Sequence, residues 1–262
     1  MRSLTLTLFL SVLLPLYTNA QNTGYPATTE IGIDEKLDTY IPKNIHLFNQ
    51  DGDTVTIGTL INKPTVISFV YYRCPGLCSP LMNGIAEVIT KSDLKIGSDY
   101  QVLTISFDDR ETPELARRKR VNYLSQISKP GAENGWFFFT GDSADIALIT
   151  DAAGFRYKRS GNDFLHAAGL VVLSPDGKIT RYLNGTSFLP FELKMSVIEA
   201  SKGQSGPTIN KILQFCYAYD PQGHQYVLNI TRVSGIVIIF MTLGIFLVLI
   251  LKPLFKRKTV IN

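Results

Sequence analysis

Two cysteines and one histidine are the residues of this chain best suited to chemistry. Cys74 and Cys78 flank the turn Pro75-Gly76-Leu77, and a run of β-branched and aromatic residues, Thr65–Tyr72, leads into them. Such a run is typical of a buried strand, and α/β folds bind ligands where a strand passes into a helix. N–H groups at a helix start favour a thiolate over a thiol. In a helical turn the two residues would share one face, close enough to bind one metal ion or form a disulfide.

His166 shifts the balance between these two chemistries. It lies just before the predicted strand Gly169–Ser174, which in a thioredoxin-like sheet is the neighbour of the cysteine-bearing strand. Two thiolates and one imidazole suit Cu(I) and are compatible with Cu(II), whereas zinc would need a fourth ligand. A redox dithiol, a purely structural histidine, and two cysteines that are only small buried hydrophobes stay open as alternatives.

The spacing of the cysteines departs from that of dithiol oxidoreductases of the thioredoxin type. Those enzymes have two residues between their cysteines and a cis-proline before the equivalent strand. Here three residues separate Cys74 from Cys78, and Ala167-Ala168-Gly169 contains no proline. The difference favours metal binding over disulfide exchange.

Strands alternate with helices over residues 44–200. A hairpin with Asp51-Gly52 in its turn comes first, and a second hairpin closes around Pro175-Asp176-Gly177. The remaining predicted strands are Thr65–Tyr72, Gln101–Phe107 and Trp136–Thr140. The predicted helices are Leu81–Lys91, Pro113–Ile127 with Thr112 as its N-cap, Ser143–Ala153 and Phe191–Ala200. This order predicts an α/β domain of thioredoxin-like, three-layer architecture with an N-terminal β-hairpin.

The N-terminus resembles an export signal. Met1–Ala20 has one early cation, Arg2, an apolar stretch over Leu4–Tyr17 and a small-residue end. We therefore expect a signal peptide over residues 1–20 with cleavage after Ala20, an uncleaved anchor being the alternative, and a flexible lead-in over residues 21–43.

The C-terminal part predicts a membrane anchor. Val233–Leu251 is 19 residues without a charge, enough for a helix of about 28 Å that matches the bilayer hydrocarbon. The basic tail 252–262 follows, so the positive-inside rule places it in the cytoplasm. We expect residues 201–232 to form a juxtamembrane extension and residues 21–232 to face the periplasm or an equivalent space, on the inner membrane.

The distribution of charge argues against a nucleic-acid-binding domain. The net charge is +4, but residues 21–232 carry 21 cations and 22 acidic residues, so the excess lies at the two ends. Three cysteines are also too few for a disulfide scaffold.

Three segments carry a resemblance to a known family. VISFVYYRCPGLCSPLMNG, TISFDDRETPE and FLHAAGLVVLSPDGKITRYLNG are similar to the Sco/SenC family of copper-binding assembly factors for cytochrome c oxidase, over about Asn44–Ala200. The resemblance implies a membrane-tethered carrier that binds one copper ion through Cys74, Cys78 and His166. It also implies that Asp108 is an outer-shell or docking residue, with a plain helix-entry role as the alternative.

The resemblance also implies partners. Such a protein would help to build the dinuclear copper centre of oxidase subunit II, by delivering copper, by reducing that subunit's cysteines, or both. Other copper carriers or thiol reductants would load or recycle it. Turnover is not required of a carrier, so thiol–disulfide exchange by Cys74 and Cys78 is the enzymatic activity left open.

One segment lies outside the domain that carries the resemblance. Lys211–Tyr226 adds Cys216 and His224, eight residues apart. We expect an aromatic segment that packs on the domain or at the membrane surface, because one thiol and a distant imidazole make a poor metal site. An auxiliary metal or docking element is the alternative.

Overall fold

The computed structural model describes residues 30–206, 217–220, 225–228, 234–235 and 238–246. A seven-stranded sheet in the order β10-β9-β4-β5-β6-β2-β3 forms the centre of the described domain. Its strands are β2 (His46–Asn49), β3 (Thr54–Thr56), β4 (Thr65–Val70), β5 (Gln101–Ser106), β6 (Trp136–Thr140), β9 (Gly169–Leu173) and β10 (Ile179–Asn184). Strands β4, β5 and β6 are parallel, and the other pairs in the sheet are antiparallel. The mixed α/β, thioredoxin-like arrangement and the N-terminal hairpin agree with the sequence prediction.

Three helices of the domain cover one face of this sheet. The helices are α1 (Ile57–Leu60), α2 (Cys78–Lys91), α3 (Pro113–Leu124), α4 (Ser143–Ala152) and α5 (Pro190–Ser201), with a 3-10 turn at Ala132–Asn134. Helices α2, α3 and α5 pack together on the face that includes Ser68 and Thr104. Thr112 precedes α3 and Pro113 is its first residue, as predicted, because proline needs no helical N–H partner there.

A smaller sheet covers the opposite face. It has the order β1-β7-β8, with β1 (Gly32–Ile33), β7 (Phe155–Ser160) and β8 (Asp163–His166). The hairpin of β7 and β8 is absent from the sequence prediction, because its alternation of charged and aromatic residues is short and lacks the continuous apolar run of the central strands. Strand β1 also corrects the predicted lead-in over residues 21–43, since its pairing with β7 makes the part from Gly32 onward integral to the domain.

The central strands fix the end of the sheet at which the cysteines lie. Every residue of β4 and β5 is buried, as expected for parallel strands covered on both faces. Their register is regular from Thr65 opposite Gln101 to Val70 opposite Ser106, so both strands end at the same level. The cysteine turn and the β5–α3 loop therefore leave the sheet side by side.

Beyond the domain, the structure describes short pieces of the C-terminal part. Strands β11 (Tyr217–Asp220) and β12 (Gln225–Leu228) pair as an antiparallel hairpin in the predicted extension. Residues 234–235 and 238–246 are helical. Among the residues described, no helix has the length and apolar character needed to cross a membrane. The predicted signal peptide, the basic tail, and residues 233, 236–237 and 247–251 of the predicted span lie outside the described residues.

Candidate metal centre

Cys74 lies in a tight turn between β4 and α2. Its N–H donates to the carbonyl of Tyr71 at 3.2 Å, and its Sγ accepts the N–H groups of Gly76 and Cys78, each at 3.4 Å. Burial opposes ionisation, but these N–H groups and the Tyr71 hydroxyl outweigh it and hold the pKa of the Cys74 thiol below its ordinary value. Cys74 is half-buried. The predicted lowering of a cysteine pKa at the start of a helix thus holds for Cys74.

Cys78 has the opposite character, so the predicted lowering of a thiol pKa at the helix start does not extend to it. It is the first residue of α2, three residues earlier than the predicted helix start, and only 4% of its surface is exposed. Its Sγ accepts the N–H of Tyr71 at 3.5 Å. Burial nevertheless raises its pKa well above the ordinary value, and the nearby charge of Cys74 adds to the rise. Cys78 is therefore a neutral thiol when the metal is absent.

His166 is the last residue of β8, whereas the sequence predicted no strand at this position. Its Nδ1 lies 2.8 Å from the carbonyl oxygen of Ala167, which can only accept, so Nδ1 carries the proton. Nε2 then has no proton and presents its lone pair, and it lies 3.5 Å from Sγ of Cys78. A hydrogen bond on the second ring nitrogen is the usual way in which proteins orient a metal-binding imidazole.

The three side chains form one cluster. The two Sγ atoms and the imidazole nitrogen all lie within 4.8 Å of one another. In a trigonal arrangement, bonds of about 2.3 Å to sulfur and 2.0 Å to nitrogen, the zinc values, would place the donors about 3.7–4.0 Å apart. The cluster thus fits a three-coordinate ion after a small contraction. No other group of three or more His, Cys, Asp and Glu side chains with this property occurs in the described part of the chain.

Aromatic rings surround the imidazole. The ring centroids of Phe107, Tyr71 and Phe155 lie 5.2, 5.9 and 6.2 Å from that of His166. This burial lowers the pKa of His166, although its bond to the Ala167 carbonyl opposes the shift. A lowered pKa keeps the imidazole neutral, which is the form that binds a metal.

Asp108 follows Phe107, whose ring packs against the imidazole, but it is not one of the three clustered groups. Its side chain is almost fully buried and binds Arg110 through two hydrogen bonds, Nε to Oδ1 at 2.7 Å and Nη2 to Oδ2 at 2.8 Å. Burial opposes ionisation, but the bonds from Arg110 hold the pKa of Asp108 below its ordinary value. The predicted outer-shell role therefore stays a prediction, with Arg110 as its observed partner.

Sequence reasoning missed Glu111. Only 5% of this residue is exposed, and its carboxylate accepts the N–H groups of Tyr72 at 2.6 Å and Arg73 at 2.8 Å and the hydroxyl of Ser106 at 2.7 Å. Burial raises its pKa even though these three donors oppose the rise. The sequence shows Glu111 only as an acidic residue one position before the predicted N-cap Thr112. An acidic residue at that place is ordinarily interpreted as a surface residue.

The second pair of candidate residues cannot be placed. Cys216 and His224 lie outside the described residues, so their predicted packing role remains a prediction.

Comparisons with known proteins agree with this geometry. The family model described as SCO1/SenC matches residues 34–197, more than half of the chain. The SCO1 protein homolog of Bacillus subtilis (strain 168) is 22% identical over 158 residues, which cover 58% of this chain and 78% of that protein.

Two solved structures share the fold. A protein of Aquifex aeolicus VF5, provisionally described as an electron transfer protein, is 31% identical, with a TM-score of 0.58, over 64% of this chain and 95% of that one. A SCO1/SenC family lipoprotein of Bacillus anthracis str. Ames is 17% identical, with a TM-score of 0.51, over 65% of this chain and 98% of that one; this likeness concerns the fold alone. The extent of the family match, around a cysteine pair and a histidine that meet in space, shows that this chain belongs to the SCO1/SenC family.

Proposed function

We propose that this protein binds one copper ion through Cys74, Cys78 and His166 and delivers it during assembly of cytochrome c oxidase. The observation that carries the proposal is the convergence of two sulfurs and one imidazole nitrogen within 4.8 Å. Soft thiolates with a borderline imidazole form a donor set suited to Cu(I). Membership of the SCO1/SenC family supports copper as the cargo, through the copper-binding role that the resemblance implies.

The protonation states favour capture of a soft cation. The Cys74 thiol ionises more readily than an ordinary cysteine, and His166 offers a neutral nitrogen that needs no proton removed before binding. Cys78 must lose its proton, because only the thiolate is a good metal ligand. Binding should therefore release at least the proton of Cys78 for each ion bound near neutral pH.

Delivery requires that the ion leave again. The exposed fraction of Leu77, next to Cys78, is 39%, and that of Leu165, next to His166, is 52%. An apolar rim around the cluster would let the copper site of oxidase subunit II, the proposed recipient, approach the donors and exclude water. Asp108 is proposed to act in the outer shell, through Arg110.

An anaerobic copper titration of the full-length chain tests this proposal. Wild type should bind one Cu(I) per chain, and the Cys74→Ser, Cys78→Ser and His166→Ala variants should each bind it far more weakly. Cys216→Ser is the matched control and should bind as wild type does. Stoichiometric binding that survives loss of either domain cysteine would contradict the proposal.

A second candidate function is thiol–disulfide exchange with an exported partner. The unequal thiols favour it, since Cys74 is the more acidic and accessible and Cys78 is held protonated behind it. The Cys74 thiolate would attack a partner disulfide and release one partner thiolate, which takes up a proton. Cys78, once deprotonated, would then displace the second thiolate. Two electrons pass to the partner, and the Cys74–Cys78 pair becomes a disulfide.

One variant separates the two functions. His166→Ala should weaken copper binding yet leave reduction of a disulfide-bonded subunit II fragment nearly unchanged. If both activities fall together, the imidazole serves the sulfurs in exchange as well as in metal binding.

We further propose that residues 21–232 face the periplasm and that a single span at 233–251 anchors the chain in the inner membrane. The uncharged run and the basic tail that follows it support this topology. Protease added to spheroplasts should degrade the domain and leave an epitope at residue 262 intact. Protection of the domain would overturn the topology.

A further inference from the structure

The loop between β5 and α3, residues 108–111, contacts both segments that carry the clustered residues: the chain before Cys74 and the β7–β8 hairpin. It begins where β5 ends, beside the cysteine turn, and it closes a tight turn in which the N–H of Glu111 donates to the carbonyl of Asp108 at 3.0 Å. Both side chains are nearly fully buried. Buried carboxylates are costly unless their oxygens are hydrogen-bonded, so what they bind shows which structures they hold in place.

On one side, Glu111 holds the chain that leads into the cysteines. Its two oxygens accept the N–H groups of Tyr72 and Arg73, the two residues before Cys74. A third bond from Ser106 ties the same carboxylate to the end of β5. The backbone that sets the position of Cys74 is thereby fixed to the central sheet.

On the other side, Arg110 holds the hairpin that carries His166. Its Nη2 donates to the carbonyl of Asn162, in the turn between β7 and β8, at 3.3 Å. Its guanidinium carbon also lies 5.7 Å from the ring centroid of Phe164, two residues before the imidazole. Asp108 fixes the guanidinium in this orientation through its two hydrogen bonds.

A second arginine strengthens the contact with the hairpin. Arg159 of β7 lies 4.8 Å from the Phe164 centroid and donates to Asp109 of the same loop at 3.4 Å. The hairpin needs such support because β8 pairs only with β7 among the described strands. A planar guanidinium suits this role better than a lysine ammonium, since it binds two oxygens at fixed angles.

We propose that the 108–111 loop sets the separation between the two sulfurs and the imidazole, with Glu111 and Arg110 as positioning residues for the cysteine side and the histidine side. This inference rests on the proposed copper function. Supporting groups that orient metal ligands typically change affinity by about 10–100-fold when they are removed. Glu111 should act through the cysteines, whereas Arg110 should act through His166.

A double-mutant cycle with His166→Ala tests the assignment in the full-length chain, with Cu(I) affinity measured against a chromophoric chelator. Arg110→Ala should weaken binding by about 10–100-fold in wild type and by less than about twofold in the His166→Ala background. Glu111→Gln should weaken binding by about 10–100-fold in both backgrounds, because it acts through the cysteines. Arg118→Ala and Glu114→Gln, which remove an exposed i,i+4 pair on α3, are the matched controls and should change nothing.

Two results would overturn the inference. An Arg110→Ala effect of equal size in both backgrounds would mean that the arginine does not act through the imidazole. A Glu111→Gln affinity equal to that of the controls would remove the cysteine side of the assignment. If Glu111→Gln fails to fold by circular dichroism, Ser106→Ala replaces it and should give a smaller loss in both backgrounds.

A metal-free measurement separates failure of this inference from failure of the proposed function. In the apoprotein, the rings of Tyr71 and His166 pack edge to face with their centroids 5.9 Å apart. The nuclear Overhauser contact between these rings should weaken in Arg110→Ala and persist in Arg118→Ala. An unchanged contact in Arg110→Ala would contradict the positioning role. If wild type binds no copper yet the contact weakens as expected, the copper proposal fails and the positioning role stands.

Discussion

The sulfurs and the imidazole of the metal centre are held by two very different regions. Cys74 and Cys78 lie where β4, a fully buried central strand, passes into α2. His166 ends β8, an edge strand of a small sheet that combines buried aromatic residues, Phe155 and Phe164, with exposed charged ones. One region is part of the core, whereas the other is attached to it by aromatic packing and a few charged contacts.

The difference indicates how the site could both retain and release an ion. Two donors are fixed by the structure that holds the whole domain together, so they should change position little. The third is carried by a hairpin whose contacts with the core are fewer, so its distance from the sulfurs can be adjusted at lower cost. Substitutions in the two regions should therefore differ in the size and kind of their effects.

The largest expected effect is on the cysteine side. Cys78→Ser removes a donor from the most rigid part of the centre, so the Cu(I) affinity should fall by more than the ~100-fold that loss of an outer-shell contact can cause. Competition with a chelator measures this change. Cys216→Ser is the control, and a Cys78→Ser affinity within about tenfold of the wild-type value would contradict a central role for this sulfur.

A matched pair of leucines compares the stability of the two regions. Leu103 in β5 is fully buried, so Leu103→Ala should lower the free energy of unfolding by about 2–5 kcal/mol. Leu165 in β8 is 52% exposed, so Leu165→Ala should change it by no more than about 0.5 kcal/mol. Urea titration monitored by circular dichroism measures both, and equal losses would remove the distinction between core and hairpin.

A smaller effect concerns the acidity of the half-buried thiol, Cys74. Cys74 is in thiolate form above its lowered pKa, so its alkylation should reach half its maximal rate below pH 9, while Cys78 stays protected. Tyr71→Phe removes one hydrogen bond to the thiolate, worth about 0.5–1.5 kcal/mol, and should shift the Cys74 profile upward by up to about one pH unit. Mass spectrometry of alkylated peptides follows both sites, and an unshifted profile would mean that the hydroxyl does not stabilise the thiolate.

The smallest effect is a pH dependence of stability on the histidine side. Burial lowers the pKa of His166 in the folded chain, whereas the unfolded chain takes up a proton near pH 6.5. Below that pH the unfolded state binds more protons, so the contribution of His166 to stability should fall as the pH falls from about 6.5 through the folded pKa. The wild type should therefore lose more unfolding free energy than His166→Gln between pH 7.5 and 5. Parallel pH profiles would contradict a neutral, buried imidazole.

The same contrast explains what the sequence could predict. The run of mainly β-branched and aromatic residues in β4 and the Pro-Gly turn after it located the cysteines at the end of a central strand, because burial on both faces leaves a clear pattern. The predicted juxtaposition of His166 with the two cysteines is present in the structure. Its binding of metal remains a prediction.

The histidine region was predicted less well. Strands β7 and β8 alternate charged and aromatic residues over four to six positions, a pattern that does not separate an edge hairpin from a loop. Glu111 and Arg110 occur in a charged segment typical of a surface, and only the three-dimensional path of the chain buries the carboxylate of Glu111. The unequal acidity of the two cysteines likewise depends on burial, which spacing along the chain does not encode.

X-ray absorption spectroscopy of the Cu(I)-loaded full-length chain tests the central claim, a three-coordinate site, most directly. We predict two sulfur donors and one nitrogen donor per copper in wild type, and loss of the nitrogen donor with both sulfurs retained in His166→Ala. A wild-type spectrum with two sulfurs alone, unchanged by that substitution, would show that the imidazole does not bind the metal and would contradict the account.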